Sequence, residues 1–433
     1  MENENLILIS NHKNWVEQAA KDQLAGVSRL PGVVKTVGLP DLHPGKTPVG
    51  MAVLSQGLFY PHLIGNDIGC GMSLFSTGVR RARFKVERCV TRLNSIRELS
   101  DVPSGNPYEE DCPIRDFGTI GSGNHFAEFQ CLENAPDPEM AQALGLMDGQ
   151  VFLLVHSGSR GYGQDILSRF YNPGGIREDS EQARDYLLEH DRALLWADRN
   201  RLAVAEKLLD YLGVDDTVEP VVQSCHNYVE RRPEGWLHRK GSVSTKQGPV
   251  VIPGSRGSLT YVCMPGEDTA FSLDSVSHGA GRKWARSICK SRIDQKYDRN
   301  SIRSTKYKSH VVCHDTNLLF AEAPEAYKNV EQVIDSLLEY GLIHVVATLR
   351  PLITFKVGGG YENTDQFRPG AGGVRTGRGP VLSGIAAGSG RDSDGKLCQR
   401  AQGRIFLRCA GGGLVRAGGQ RALGVQKPAP AGA

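Results

Sequence analysis

Ile64-Gly65-Asn66-Asp67-Ile68-Gly69-Cys70-Gly71-Met72 sets a carboxylate and a thiol close together inside a run of small residues. Asp67 offers a hard oxygen and Cys70 a soft sulfur, and a thiolate can bridge two divalent ions. Gly65, Gly69 and Gly71 let the backbone fold tightly enough for both side chains to face one point. A structural turn around one buried cysteine has the same appearance. The two readings separate only if other ligand-type residues stand in comparable settings elsewhere.

Working outward from that stretch, several do. Upstream, Val33–Val37 reads as a strand that delivers Gly38-Leu39-Pro40-Asp41-Leu42-His43-Pro44-Gly45-Lys46, a loop crowded with Asp, His and Lys. Before it, Ser10 or Asn11 can cap a helix whose apolar stripe runs through Trp15, Val16, Ala19, Ala20 and Leu24. Met51–Leu54 and Met72–Thr77 read as extended, and Val86–Leu99 as a helix. Downstream, Gly118-Thr119-Ile120-Gly121-Ser122-Gly123 can bring backbone N–H groups against a phosphate, and it leads into Asn124-His125-Phe126-Ala127-Glu128. This is not a Walker A loop, since no Gly-Lys-Ser/Thr follows.

The apolar strand Val151–Val155 runs into His156-Ser157-Gly158-Ser159-Arg160-Gly161. Loops at the ends of buried strands are where binding groups collect, and a His and an Arg arrive here together. Residues 178–212 predict a helical hairpin with Leu187, Leu188, Leu194, Leu195, Leu202, Leu208 and Leu209 on its buried faces. Val218–Val222 predicts an edge strand, because it holds Pro220, and it leads to His226. His125, His156 and His226 with Asp67 and Cys70 make a two-metal ligand set. Neither CxxC nor HExxH occurs, so zinc-finger and zincin readings fall away, and mixed N/O/S ligation leaves Mn, Zn and Fe all chemically possible. His238-Arg239-Lys240-Gly241 reads as a basic turn before a strand at Val250–Ile252. Ser277-His278-Gly279-Ala280-Gly281-Arg282 reads as a small-residue turn opening a basic helix, where a nucleophile can meet a phosphate.

Composition narrows the class. At 433 residues the chain can bury a large core, and its 39% hydrophobic and 23% charged content is that of a soluble protein. No apolar run spans a bilayer, and the polar start Met1-Glu2-Asn3-Glu4-Asn5 does not resemble a signal peptide. The ten scattered cysteines then read as reduced thiols of a cytoplasmic protein. Net charge is +3, but residues 358–433 hold 11 Lys/Arg and 4 Asp/Glu, a surplus of +7, which leaves residues 1–357 at −4. Any nucleic-acid contact of the body therefore needs a local basic patch.

With these motifs in place, the chain resembles the RtcB family of RNA-splicing ligases. The likeness runs through Pro40-Asp41-Leu42-His43, Asp67-Ile68-Gly69-Cys70-Gly71-Met72, Gly123-Asn124-His125-Phe126-Ala127-Glu128 and His156-Ser157-Gly158-Ser159-Arg160-Gly161. It continues through His226-Asn227, His238-Arg239-Lys240-Gly241, Pro253-Gly254-Ser255, Ser277-His278-Gly279-Ala280-Gly281-Arg282, Ala323-Pro324-Glu325-Ala326-Tyr327-Lys328 and Lys356. The resemblance implies a single α+β catalytic domain over residues 1–357, with central mixed β-sheets and surrounding helices. It implies an enzyme that uses GTP and two Mn²⁺ ions to join an RNA 3′-phosphate or 2′,3′-cyclic phosphate to a 5′-hydroxyl. Asp67, Cys70, His125, His156 and His226 would then be the metal ligands, with Cys70 as bridge. His278 would be the nucleophile that takes up GMP, oriented by Asp41. Glu128, Ser255, Thr260, Tyr327 and Lys356 fall on guanine-nucleotide contacts, with Phe126, Ala280 and Gly281 lining that pocket; Asn124 and Arg160 fall on phosphate-binding positions.

Three departures bear on the RNA partner. Ser242-Val243-Ser244-Thr245 stands where the family often carries arginine, Thr260 replaces a serine, and little chain separates residues 80 and 118. The pattern resembles a compact bacterial branch associated with a release-factor-like partner, so RNA repair competes with tRNA splicing, and a monomer is expected. Residues 358–433 lie outside the likeness and hold 20 of the 51 glycines. That composition predicts a disordered tail, either native and RNA-binding or a non-native extension. Two other functions compete: a dinuclear metal phosphohydrolase acting on cyclic phosphate ends without ligation, and an inactive RNA-binding protein.

Overall fold

Antiparallel pairing brings the ends of distant segments together in this protein, and that pairing builds the site. The computed structural model describes residues 5–101, 116–214, 218–298 and 300–358. All of them lie in the contact-defined unit Met1–Gln366. The expectations for residues 358–433 lie, beyond Gly358 itself, outside the described residues.

The architecture is α+β. Its larger sheet has eight strands, in the order Val250–Pro253, Thr260–Pro265, Ile343–Phe355, Phe126–Asn134, Gln150–Ser157, Gly71–Arg80 and Glu219–Cys225, with His310–Val312 pairing parallel to Ile343–Phe355. The alternation of Phe129, Leu153, Val155 and Phe75 with Leu74, Phe152 and Leu154 fills a cluster on each face, so the central strands are buried on both sides. Glu219–Cys225 is an edge strand, as Pro220 required. A second sheet has five strands, in the order Leu6–Leu8, Val33–His43, Val49–Ser55, Gly235–Lys240 and Asn227–Arg232.

Several sequence expectations are corrected. The first helix is Gln18–Val27, not a helix capped at Ser10 or Asn11. Asn11 instead closes a turn, its Oδ1 accepting from the Lys13 and Asn14 N–H groups, so Trp15 falls outside the helix. The strand expected to end at Val37 runs on to His43, so Asp41 and His43 belong to a strand and not a loop. Residues 178–212 form one continuous helix, Glu181–Leu212, rather than a hairpin. Its buried face carries Ala183, Tyr186, His190, Ala197, Asn200 and Arg201, which rotates Leu188 and Leu195 out to solvent. Val86–Leu99 shortens to the helix Val86–Leu93. His238-Arg239-Lys240 is not a turn but part of a buried strand, because Arg239 is neutralised by Glu230 and hydrogen-bonded by Tyr228 and Ser275. His278 does not open a helix. It follows the short strand Ser275–Ser277, and the basic helix starts only at Arg286.

Candidate active site

Four neighbouring strands of the larger sheet run antiparallel, so the beginnings of two meet the ends of the other two. Gly71 pairs with Ser157 and Cys225, and Phe126 pairs with His156. Cys70 just before one strand, His125 just before the next, His156 near the end of a third and His226 just past the fourth therefore share one edge. Sequence separations of 55 and 86 residues close to sulfur–nitrogen distances of 3.3 Å, from Cys70 Sγ to His125 Nε2 and to His156 Nε2. Asp67 Oδ2 lies 2.9 Å from His125 Nε2. Gly158 is required here, since a Cβ on it would fall 2.2 Å from Asp67 Oδ1.

Asp67, Cys70 and His125 form one trio with metal-binding spacing, and Cys70, His156 and His226 form another. The shared thiol is the arrangement a bridging ligand needs. The chemistry of the donors fits cations as well. Burial, reinforced by neighbouring imidazoles, holds His156 and His226 far below the usual histidine range, so both are neutral donors. His226 Nδ1 is buried without a hydrogen-bond partner. Burial and the adjacent Asp67 charge push the Cys70 thiol well up, so a nearby dication is what would release its proton. Burial also opposes charge on Asp67, but His125 and Arg160 more than reverse it and hold the carboxyl low.

His278 stands beside this cluster, its ring centroid 4.6 Å from that of His226. On its other side Nδ1 lies 2.7 Å from Asp41 Oδ2. Asp41 is wholly buried, and its strand is clamped by Lys328, whose Nζ donates to the carbonyls of Pro40 (3.0 Å) and Leu42 (2.8 Å). Gly281, at φ 73°, lets the turn after His278 press against Asp41, where a Cβ would meet the Asp41 carbonyl oxygen at 2.3 Å. Ala280 is buried in the same turn.

A group of hydrogen-bonded polar side chains follows His125 along its strand and the strand paired with it. Glu128 is buried opposite Thr354, which donates to it, and Gln130 Nε2 bridges Glu128 (2.7 Å) and Thr260 (2.8 Å). Burial raises the Glu128 carboxyl to about 7, although Thr354, Gln130 and Lys356 pull the other way. Lys356 Nζ donates to the His125 carbonyl at 2.8 Å and lies over the Phe126 ring. Ser255 bonds Ser258 at 3.1 Å. Tyr327 donates to Glu322, which also pairs with Arg282 at 2.9 Å and Arg286 at 3.1 Å. Asn124 precedes His125 in the turn, and the Arg160 N–H reaches Asp67 Oδ1 at 3.3 Å.

Three supporting residues, Arg201, Asn200 and Glu322, escaped sequence reasoning, and a fourth, Asn227, was given no role of its own. Arg201, buried on the long helix, donates to the carbonyls of Gly69 (2.9 Å) and Ser157 (3.0 Å) and so ties two ligand loops together. Asn200 secures the glycine-rich loop through Gly118 N–H and the Thr119 carbonyl. Asn227 holds the Asp67 carbonyl at 3.2 Å. Glu322 gathers Arg282, Arg286 and the Tyr327 hydroxyl around one buried carboxylate. Of these, only Asn227 carried a signal, its place beside His226.

Comparison with known proteins supplies the class. The family model described as "tRNA-splicing ligase RtcB" matches residues 23–113 and 105–357. A protein named RNA-splicing ligase RtcB2 from Escherichia coli is 40% identical over 370 residues, covering 82% of this chain and 96% of that protein. RNA-splicing ligase RtcB of Escherichia coli K12 is 27% identical, covering 79% of this chain and 95% of its own. For tRNA-splicing ligase RtcB of Archaeoglobus fulgidus the identity is 27%, with 78% and 91% covered. A fold that collects a two-trio ligand set beside a carboxylate-held histidine is, in this company, that of an RNA-joining enzyme. The chain belongs to the RtcB family of RNA-splicing ligases.

Proposed function

We propose that this protein joins RNA ends bearing a 3′-phosphate, or a 2′,3′-cyclic phosphate first opened by water, to 5′-hydroxyl ends, with GTP as co-substrate. The observation that carries this reading is His278, held by Asp41 on one nitrogen and set against His226 of the ligand cluster on its other side. Asp41 accepts the Nδ1 proton, which leaves the Nε2 lone pair free. Nε2 attacks the α-phosphorus of GTP, an N–P bond forms, and the bond to pyrophosphate breaks. An oxygen of the RNA 3′-phosphate then attacks that phosphorus, and His278 leaves. Finally the 5′-hydroxyl oxygen attacks the RNA 3′-phosphorus, its proton is lost and GMP departs. One hard displacement thus becomes three easier ones.

Asp67, Cys70 and His125 would hold one Mn²⁺, and Cys70, His156 and His226 a second. Bound there, the ions supply positive charge for phosphate oxygens. Glu128 would accept from N1–H and the 2-amino group of guanine, with Thr260, Ser255, Tyr327 and Lys356 around the nucleotide and Phe126, Ala280 and Gly281 against it. Asn124 and Arg160 would receive RNA phosphate. The catalytic unit is assigned to residues 1–357, and the Gly/Arg-rich remainder to an accessory role at most. A cytoplasmic monomer with a release-factor-like partner completes the reading. Among the described residues no helix is long and apolar enough to cross a membrane.

The test is an end-joining assay with 3′-phosphate and 5′-hydroxyl RNA. Sealing that requires both GTP and a divalent ion supports the proposal. Hydrolysis of the cyclic phosphate with no sealing would favour the phosphohydrolase reading.

A further inference from the structure

Trp15 is the most exposed large apolar side chain among the described residues, at 58%. Its neighbours Asn14 and Val16 are both buried, so the indole is held outward by an anchored backbone. Asn14 Nδ2 donates to the Pro40 carbonyl at 2.7 Å, which ties this segment to the strand carrying Asp41. Opposite Trp15 stand Lys283, Trp284, Ile288 and Arg292, and together with Glu17 they line a surface cleft of about 440 Å³.

The far wall leaves the nucleophile's turn directly. Lys283 is five residues past His278, and its N–H donates to the Ala326 carbonyl at 2.8 Å. Trp284 is already used internally: Lys283 Nζ lies 4.8 Å and the Arg292 guanidinium 4.9 Å from its ring centroid. The indole thereby positions two cations at the cleft. Trp15 makes no comparable ring or cation contact among the described residues, and more than half of it is exposed. Residues 282–292 contain Arg282, Lys283, Arg286, Lys290 and Arg292 and no acidic residue. Of the residues lining the cleft, Lys283 and Arg292 stand against Glu17, a net charge of +1, while Arg282 and Arg286 pair with Glu322. The two cations at the cleft wall lie on a run that carries five Lys/Arg and no acid, a local excess of positive charge on a body of net negative charge.

We infer that this cleft takes single-stranded RNA next to the end being joined, with a base stacked on Trp15 and phosphates against Lys283 and Arg292. The inference rests on the RNA-joining reading above. A free aromatic face beside fixed cations is the combination that binds unpaired nucleotides without regard to sequence. An acidic peptide would use the cations but has no need of the indole.

The test measures binding of a short 3′-phosphorylated single-stranded RNA to the full chain without GTP, beside a polyglutamate peptide. Trp15→Ala should weaken RNA binding roughly five- to hundredfold, and Trp15→Phe should restore most of it. Lys283→Ala with Arg292→Ala should flatten the slope of log affinity against log salt by about 1.4. All variants should still take label from GTP alone. RNA affinity indifferent to Trp15→Ala in a protein that still labels would overturn the cleft, and so would polyglutamate binding tighter than RNA. A wild-type protein that takes no label would instead overturn the proposed reaction, and RNA binding that still depends on Trp15 would uphold the cleft.

Discussion

His278 Nδ1 and Asp41 Oδ2 meet at 2.7 Å across 237 residues of sequence. The carboxylate is wholly buried, and Lys328 fixes the backbone on either side of it through the Pro40 and Leu42 carbonyls. An acceptor on Nδ1 decides which ring nitrogen keeps a lone pair, and in the proposed reaction it would stabilise the positive charge that builds on the ring as Nε2 attacks.

Asp41→Asn keeps the size of that partner and removes its charge. The rate of GMP uptake should fall on the order of 10²–10⁴-fold, with the apparent affinity for GTP little changed. Single-turnover labelling over a range of GTP concentrations checks this. A rise in KM with an unchanged maximal rate would mean that Asp41 serves binding and not the nucleophile.

Cys70 is shared by both ligand trios. Cys70→Ala should therefore lower metal content at both positions, whereas His226→Ala should lower it at one. Elemental analysis of the purified variants reads this directly. Equal metal in Cys70→Ala and wild type would make Cys70 a structural residue.

Burial raises the Glu128 carboxyl to about 7. If Glu128 meets guanine as proposed, the N1–H and 2-amino groups are both donors, so nucleotide binding would require the charged form and expel a proton at lower pH. GTP affinity should fall as pH drops below about 7, and binding near that value should release protons, measurable by calorimetry in buffers of different ionisation enthalpy. Folding stability responds in the opposite sense. A folded-state value above the unfolded one stabilises the fold fully below the usual Glu range, and that contribution is lost as pH rises through about 7. Glu128→Gln should remove both dependences and cost GTP use on the order of tenfold or more, while narrowing the preference over ATP. A pH profile unchanged by the substitution would show that Glu128 does not meet the base.

Glu322 presents the reverse case. Burial alone would raise its carboxyl, but Arg282, Arg286, Lys356 and the Tyr327 hydroxyl hold it at about 2. A depressed value stabilises the fold above the usual Glu range, and the contribution is lost as pH falls toward 2. Glu322→Gln leaves Arg282 buried without its counter-charge. It should cost about 3 kcal/mol, less whatever solvent screens at the half-exposed Arg286. Thermal unfolding at neutral pH tests the size, and a melting temperature within a degree of wild type would contradict it.

The candidate ligands that the structure brings together stood out because Asp67, Cys70, His125 and His156 lie near strand ends beside glycines, while His226 stood out only by following the strand at Val218–Val222. The strands themselves followed from Val151–Val155 and its apolar relatives. The scaffold behind the ligands was not legible. Arg201 and Asn200 lie on a helix whose leucines were expected to form the buried faces, and only tertiary packing turns these polar residues inward. Arg239 looked like part of a turn for the same reason, since its partners Glu230 and Ser275 come from other strands. Glu322 sits in an apolar context with no periodic cue. Local pattern carried no information about which cations would converge on it. Trp15 misled for the converse reason, because an apolar residue at helical spacing resembles core until the Asn11 turn delays the helix.

The central claim is that His278 becomes covalently guanylylated. Incubation with GTP labelled at the α-phosphate and Mn²⁺, followed by denaturation, should leave label on the protein that is lost in acid and kept in alkali, as a phosphoramidate requires. GTP labelled at the γ-phosphate should leave none, and a folded His278→Ala protein should take none from either. Undiminished α-label on His278→Ala, or no label on a metal-loaded wild-type protein that still seals RNA, would contradict the account.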